Sequence, residues 1–167
     1  MIYQGERRLR INASADMVWQ WMSDVRHLLR LNVFHTDVPF SEPVMQAGLR
    51  VPIRHNICGL YRRTRIARIR IYRKYFVAWS ELQEQGRDYF PHSQSFTIVP
   101  IDAQSCLIVN HLRGKFFMPG ARYWFLPFYR IIAARLLDHE NRQIALAVAA
   151  LQAATINLRR KDSHGNI

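Results

Sequence analysis

The last third of the chain constrains the fold most, because no glycine or proline occurs between Pro127 and Gly165. The stretch IIAARLLDHENRQIALAVAALQAA in this region is rich in strong helix formers. Apolar residues recur there at helical spacing, and Glu140 or Asn141 falls in the same stripe. The pattern predicts one long amphipathic helix from about Phe128 to Leu158. Its predicted buried face comprises Ala133, Leu137, Ile144, Val148 and Leu151.

The middle of the chain alternates apolar and polar residues with a period of two, which predicts β-strands. Short turn signals at Gln85–Gly86 and Asp102–Ala103 favour antiparallel hairpins. In the stretch RIARIRIYRK the predicted inner face is Ala67, Ile69 and Ile71, and the predicted outer face is Arg68, Arg70 and Tyr72. The predicted strands are Val33–Phe40, Leu49–Ile57, Tyr61–Arg73, Tyr75–Glu84, Tyr89–Val99 and Gln104–Leu112.

The N-terminal region predicts one further strand and two short helices. Residues 7–12 alternate in the manner of a half-buried strand. Ser14 precedes the run ADMVWQWM, and a serine there accepts from exposed amides, so a helix is expected to start at Ala15. Ser23 and Asp24 repeat this signal, which predicts a second short helix ending near Leu31. The residues expected to enter the core are Val18, Trp19 and Met22.

This order of elements predicts an α+β fold, with a seven-stranded antiparallel sheet and one long helix. The helix is the element large enough to cover the sheet, and a strongly curved sheet can leave an apolar cavity beneath it. We expect a single domain over residues 1–158, followed by a polar tail over residues 159–167.

The charge balance is strongly basic, with 24 Lys and Arg against 12 Asp and Glu, a formal net charge of +12. No acidic residue occurs between Glu42 and Glu81, an interval that holds nine basic residues. This surplus favours acidic partners such as nucleic acid, anionic lipid or an acidic protein. A solvated face that only keeps the protein soluble explains the same charges, so both interpretations remain open.

Several classes of protein are excluded or disfavoured by what the chain lacks. Charge-free apolar runs, such as residues 123–129 and 144–151, are too short to span a bilayer, and no signal peptide is expected. None of the seven histidines forms an HxxxH or HExxH motif, and the two cysteines have no metal-ligand spacing. We therefore expect a reduced cytoplasmic protein with no metal, no cofactor and no assigned catalytic residue.

Three stretches of the chain carry a family resemblance, and they are INASADMVWQWMSDVRHLLRLN, YFVAWSEL and SQSFTIVPIDAQSCLIVNHLRG. Their residues and their order resemble those of the START-related, or SRPBCC, helix-grip superfamily. This superfamily contains binders of hydrophobic ligands, polyketide cyclases and lipid-transfer proteins. The resemblance covers residues 6–155 approximately. The chain departs from the pattern of one bacterial branch at Gln94, Asn110 and Leu112, which replace a His, a Glu and a Phe.

The resemblance implies non-enzymatic binding or transport of a lipid, an isoprenoid-like or a polyketide-like molecule between sheet and helix. Polar side chains would orient the ligand head, and apolar ones would surround the rest. The expected ligand-binding residues are Trp79, Gln94, Phe96, Asn110, Leu112, Phe116, Trp124, Phe125, Phe128, Leu136 and Glu140.

The segment KFFMPGARYWFLPFYR, which includes residues 116–129, concentrates seven of the chain's 20 aromatic residues in 14 positions. Pro119, Gly120 and Pro127 are expected to interrupt regular structure there. In the resembling fold this segment borders the mouth of the cavity. Its rings and flanking cations fit a peripheral contact with an anionic membrane. Packing of the same rings against the sheet is the open alternative.

Two other functions remain as alternatives. A cyclase-like enzyme would use the same cavity, with Glu140 or His111 as the candidate ionisable group. A nucleic-acid- or ribosome-binding protein would use the basic strand Arg62–Lys74, although no RNA-binding motif accompanies it.

Overall fold

A computed structural model describes residues 2–39, 44–57, 59, 61–84, 86–88, 90–117 and 121–164, with only the backbone described at 57, 61, 121–126 and 158–164. Several predicted features therefore lie outside the described residues. They are the strand end at Phe40, Cys58, the turn residue Gln85, the strand start at Tyr89, Pro119 and Gly120, together with the side chains of Tyr123, Trp124 and Phe125.

The predicted order of elements is confirmed. One strand and two short helices precede six further strands and a long helix. The elements are β1 (Ile2–Ile11), α1 (Ala15–Met22), α2 (Val25–Arg30), β2 (His35–Asp37), β3 (Arg50–Ile57), β4 (Tyr61–Arg73), β5 (Phe76–Gln83), β6 (His92–Asp102), β7 (Ser105–Lys115) and α3 (Ala121–His164).

Both short helices begin at the predicted caps. The Ser14 hydroxyl accepts from the amide of Met17 at 3.3 Å, and Asp24 Oδ1 accepts from the amide of Arg26 at 2.8 Å. Each acceptor satisfies an amide that has no partner within the first helical turn. These contacts depend on neighbours in sequence, which is why the sequence pattern predicts them.

The seven strands form one antiparallel sheet in the order β1-β7-β6-β5-β4-β3-β2. Strands β2 to β7 form a meander, and β1 pairs with β7 at the far edge. The two helices α1 and α2 therefore connect opposite edges of the sheet. The described residues contain no helix long and apolar enough to cross a bilayer.

The predicted faces of β4 hold only up to Ile69. The register with β5 shifts between Ile69 and Ile71, so the alternation changes phase at this irregularity. Ile71 is 47% exposed, and Tyr72 stacks on Trp19 with ring centroids 5.2 Å apart. The prediction that Ile71 points inward and Tyr72 outward is therefore wrong.

Helix α3 begins at Ala121, earlier than predicted, and Pro127 lies inside it. Four of the five residues predicted for its inner face are buried, but Leu151 is 44% exposed. Gln152 of the next position donates to the carbonyl of Asn12 at 3.1 Å, just beyond the end of β1. The helix has thus reached the edge of the sheet near Leu151, so its buried face ends at Val148.

Two apolar clusters form the described core. The larger contains Ile144 and Val148 of α3, and the smaller contains Ala133 and Leu137 of the same helix. Strand β7 also contributes to both clusters, through Ile108 and Leu112 respectively. Along both elements, buried polar residues occupy the positions between the two clusters: Asn110 on β7, and Glu140 and Asn141 on α3.

Candidate functional site

The first buried polar group, the Glu140 cluster, consists of Glu140, Gln94 and Asn110. Asn110 Nδ2 donates to Glu140 Oε2 at 2.8 Å, and Gln94 Nε2 donates to the same oxygen. Gln94 Nε2 also lies 3.0 Å from Asn110 Oδ1. The structure therefore brings together the three polar residues that the sequence predicted to orient a ligand head.

The Glu140 carboxyl group has no cationic hydrogen-bond partner among the described residues. Burial raises its pKa to about 7, although the donors from Asn110 and Gln94 act in the opposite direction. Its second oxygen, Oε1, has no hydrogen-bond partner, and neither has Asn141 Oδ1. This carboxyl group can therefore gain or lose a proton near neutral pH while one oxygen is available to another molecule.

The apolar residues of the predicted site divide into three groups. Trp79 and Phe96 are buried and stack with centroids 5.9 Å apart, and Leu112 and Phe116 are buried as well. Leu136 is half-buried, whereas Phe128 is 61% exposed. The side chains of Trp124 and Phe125 are not among those described.

A ring cluster covers one end of the space between sheet and helix. Phe90, Phe116 and Tyr129 contact one another with centroid separations of 4.2, 4.9 and 5.1 Å. Tyr3 of β1 contacts Tyr129 edge-on at 5.0 Å. Packing of the aromatic segment against the sheet, one of the two interpretations left open by the sequence, is thus observed for Phe116 and Tyr129.

The second buried polar group, the Glu81 cluster, consists of Glu81, His35, His55 and His92. The Glu81 side chain is fully buried, and the three histidine side chains are 1–8% exposed. His55 Nε2 and His92 Nε2 lie 3.0 Å and 3.1 Å from Glu81 Oε2, and His35 Nε2 lies 3.5 Å from Oε1. Trp79 Nε1 donates to Oε1 at 3.1 Å and so fixes the carboxylate plane.

The backbone determines the orientation of two of these rings. His35 Nδ1 lies 2.5 Å from the carbonyl oxygen of Leu29, and His92 Nδ1 lies 3.2 Å from that of Phe90. Since a carbonyl oxygen only accepts, each Nδ1 carries the hydrogen, and each Nε2 is directed at Glu81. Even so, His35 Nε2, His55 Nε2 and Glu81 Oε2 have no aligned hydrogen-bond partner.

The charges within the Glu81 cluster are coupled. Burial raises the pKa of Glu81, but His92 and His35 more than offset it, so that pKa lies well below its ordinary value. Burial lowers the pKa of His55 and remains the dominant effect there. For His35 the attraction of Glu81 outweighs burial and raises the pKa. Glu81 is therefore an anion at neutral pH.

Sheet register explains why these side chains meet. Glu81 pairs with His92 on β6 and with Ala67 on β4, and His55 pairs with His35 on β2. The cluster thus spans five adjacent strands.

The sequence interpretation did not single out Glu81, His35, His55 or His92 as members of a site. A signal was present, since Glu81 continues the inward face of Val77 and Trp79, and His55 continues that of Val51 and Ile53. A polar residue in phase with buried apolar ones on a strand indicates an inward-facing polar site.

Arg65 lies in phase with the inner residues Ala67 and Ile69 of β4 and is buried with them. It is 3% exposed, and its guanidinium donates to Asp88 and to the carbonyls of Glu81 and Phe90. Arg62, Arg63, Arg68 and Arg70 are exposed as expected. The first two line a surface cleft of about 360 Å³ together with Arg54 and Thr36.

Two further surface clefts, of about 340 and 430 Å³, lie elsewhere on the sheet. The Glu140 cluster lines none of these three clefts. The cavity between sheet and helix, with its full set of lining residues, therefore stays a prediction.

No sequence family matches the chain, and no curated protein matches it by sequence. Solved structures match it by shape. A START superfamily protein from Mycobacterium smegmatis superposes with a TM-score of 0.66 at 18% identity, covering 89% of this chain and 98% of that one. The Zhui aromatase/cyclase from Streptomyces superposes with a TM-score of 0.65 at 16% identity, covering 93% and 96%.

Norcoclaurine synthase from Thalictrum flavum, in complex with dopamine and hydroxybenzaldehyde, superposes with a TM-score of 0.67 at 14% identity. The match covers 90% of this chain and 88% of the synthase. Identities this low establish shape rather than activity. The chain has the α+β helix-grip fold of these START-related proteins.

Proposed function

We propose that the protein binds an amphipathic small molecule between the sheet and α3, with a hydroxyl-bearing head group held by the Glu140 cluster. The observation that carries the proposal is the Glu140 carboxyl group, which is buried and held on one oxygen but has no partner on the other. Such a protein would act as a carrier or sensor of a lipid, an isoprenoid-like or a polyketide-like compound.

An unpartnered buried oxygen is unfavourable by about 1–3 kcal/mol, so a ligand that supplies a hydrogen bond recovers that energy. Glu140 Oε2 already accepts from Asn110 and Gln94. When the group is protonated, the hydrogen therefore belongs on Oε1, which then donates. When the group is ionised, Oε1 accepts.

A hydroxyl group suits both protonation states because it accepts and donates. A ligand carboxylate does not suit the ionised state, since two anions would then meet in a water-poor interior. The chemistry of the site therefore selects a neutral head with at least one hydroxyl group.

The rest of the ligand would be apolar. Trp79 and Phe96 flank the cluster on the sheet, and Leu112 follows it on β7. Burial of ligand surface against such side chains contributes about 25 cal/mol per Å². The norcoclaurine synthase structure supports this class of ligand, because dopamine and hydroxybenzaldehyde in that complex are small aromatic molecules with hydroxyl groups.

The first experiment identifies the ligand class directly. Native mass spectrometry of the purified protein, followed by organic extraction, should release a neutral hydroxylated compound. In solution, naphthol should bind more tightly than methylnaphthalene, which has a similar shape but no hydroxyl group. Glu140→Leu should abolish this preference and weaken naphthol binding about tenfold or more.

Asp138→Asn is the matched control, because Asp138 lies on the same helix but forms a half-exposed ion pair with Arg7 at 3.4 Å. This variant should keep the preference for naphthol. Equal binding of both probes by the unaltered protein, or an unchanged preference in Glu140→Leu, would contradict the proposal.

A second candidate is a cyclase-like enzyme that uses the same space. The observation in its favour is the Glu140 pKa of about 7, which suits a group that transfers protons at neutral pH. Glu140→Gln distinguishes the two functions, because the amide retains the hydrogen bonds of the protonated acid but cannot ionise. An enzyme would lose turnover and keep binding, whereas a carrier would keep both ligand and function.

A further inference from the structure

We propose that the Glu81 cluster binds one divalent transition-metal ion, with zinc the best fit. The ligands would be the Glu81 carboxylate and the Nε2 atoms of His35 and His55, with His92 beside the carboxylate as a neighbour and not a ligand. This site is separate from the Glu140 cluster, and the inference does not depend on the proposed ligand.

The spacing of Glu81, His35 and His55 is compatible with a metal site. Zinc binds histidine nitrogen and carboxylate oxygen at about 2.0–2.2 Å, so the ligand atoms of a tetrahedral ion lie about 3.3–3.6 Å apart. His55 Nε2 lies 3.0 Å from Glu81 Oε2, and His35 Nε2 lies 3.5 Å from Glu81 Oε1. The ligand atoms of His35, His55 and Glu81 all lie within 4.8 Å of one another.

The hydrogen bonds outside the cluster have the pattern of a metal site. Metal-ligating histidines usually donate the second ring N–H to a carbonyl or carboxylate, which fixes the ring and the tautomer. Of the two candidate ligand histidines, His35 does this through the carbonyl of Leu29. Trp79 fixes the carboxylate in the same way from its Oε1 side, which leaves Oε2 directed at His55 and His92.

Hydrogen bonds within the described residues do not satisfy every polar atom inside the Glu81 cluster. His35 Nε2, His55 Nε2 and Glu81 Oε2 are buried without an aligned hydrogen-bond partner. His55 Nε2 nevertheless lies 3.0 Å from Glu81 Oε2, and His35 Nε2 lies 3.5 Å from Glu81 Oε1. Lone pairs of nitrogen and oxygen that converge at this distance repel unless a proton or a metal ion lies between them. One divalent ion would bind all three atoms at once, whereas one proton bridges only two of them.

The types of ligand atom in the Glu81 cluster determine which metal ions fit the site. Imidazole nitrogens with one carboxylate oxygen and no thiolate suit zinc and its neighbours in the first transition row, not calcium or magnesium, which prefer oxygen ligands. Three protein ligands leave a fourth position for water. The ion would join β2, β3 and β5, and so hold the three-residue strand β2 onto the sheet.

The test uses cobalt as a spectroscopic probe for zinc. The full-length protein is treated with a chelator, dialysed and titrated with Co²⁺. We expect one equivalent to bind with the intense visible absorption of tetrahedral cobalt, and one equivalent of Zn²⁺ to remove that absorption. Glu81→Gln and His55→Ala should each weaken Co²⁺ binding at least ~100-fold.

Two other histidines provide matched controls. His111 lies on β7 and His139 on α3, and neither belongs to the cluster. His111→Ala and His139→Ala should bind Co²⁺ as the unaltered protein does. Glu140→Gln should also leave cobalt binding unchanged, which separates a failure of this proposal from a failure of the proposed function.

Three results would overturn the metal site. The chelated protein could remain folded and bind no Co²⁺ or Zn²⁺ at stoichiometric concentration. The absorption could be that of octahedral cobalt held mainly by water. The Glu81→Gln and His55→Ala variants could bind as tightly as the controls. If either variant fails to fold, the native mass and zinc content of the unaltered protein decide the question, because the proposal requires one ion per chain.

Discussion

The interior contains two carboxyl groups whose pKa values move in opposite directions. Glu140 meets two neutral amides, and burial raises its pKa to about 7. Glu81 meets three imidazole rings, and their attraction holds its pKa well below the ordinary value in spite of burial. The identity of the nearest partners, rather than the depth of burial, therefore sets the charge of each group.

The raised pKa of Glu140 predicts a pH-dependent stability. The folded protein holds this proton more tightly than the unfolded chain does, so folding is favoured at low pH. That advantage is lost as the pH rises from about 4.5 to about 7, by about 3 kcal/mol in total. Urea unfolding across this range should show the loss in the unaltered protein, and Glu140→Gln should remove most of this component.

Asp138→Asn serves as the control for this measurement as well, since Asp138 is half-exposed on the same helix. It should retain the slope of stability against pH. An identical slope in Glu140→Gln and in the unaltered protein would show that Glu140 is not the titrating group.

At the scale of single elements, β4 carries one buried arginine among exposed ones. Arg65 is in phase with Ala67 and Ile69 and lies on the inner side. There it joins β5 to the connection that leads into β6, through the carbonyl of Glu81 and the carboxylate of Asp88. Asp88 in turn accepts from the amides of Gln83 and Phe90.

This arrangement predicts unequal effects for two arginines of one strand. Arg65→Met should destabilise the protein by about 3 kcal/mol, because it leaves Asp88 and two carbonyls without their buried donor. Arg70→Met should change stability by less than about 0.5 kcal/mol, since Arg70 is exposed and contacts only Ser80 at 2.9 Å. Denaturant unfolding of both variants measures the difference, and equal losses would contradict the assigned role of Arg65.

For the whole molecule, net charge and exposed apolar surface favour a peripheral contact with an anionic membrane. The chain carries a formal charge of +12. Near one end of α3, Phe128 and Ile131 are 61% and 57% exposed, and Phe117 is 41% exposed beneath the Lys115 ammonium group. Exposed rings beside cations are typical of proteins that bind at the lipid–water interface.

We therefore expect the protein to sediment with anionic vesicles and not with neutral ones, and added salt should weaken this binding. The double variant Phe128→Ser with Ile131→Ser should weaken it about tenfold or more, because two apolar side chains no longer enter the interface. Leu146→Ser is the control, since Leu146 is 65% exposed elsewhere on the same helix. Equal losses in the two variants would indicate non-specific adsorption.

The sequence by itself determined the local structure. The capping side chains of Ser14 and Asp24 act on amides two or three positions away, and the α3 stripe from Ala133 to Val148 depends only on helical spacing. The period of two gave the strands and, with their short connections, the antiparallel order. Glu140 could be named in advance from its helical phase, whereas Gln94 and Asn110 were named from the resemblance to the helix-grip superfamily.

Only the tertiary structure decided which inward residues meet. His35, Glu81 and His92 lie far apart in sequence and on different strands, and no spacing along the chain relates them. They converge because strand order and register set their neighbours. The partner of Arg65 was decided in the same way, since Asp88 is supplied by the connection between β5 and β6.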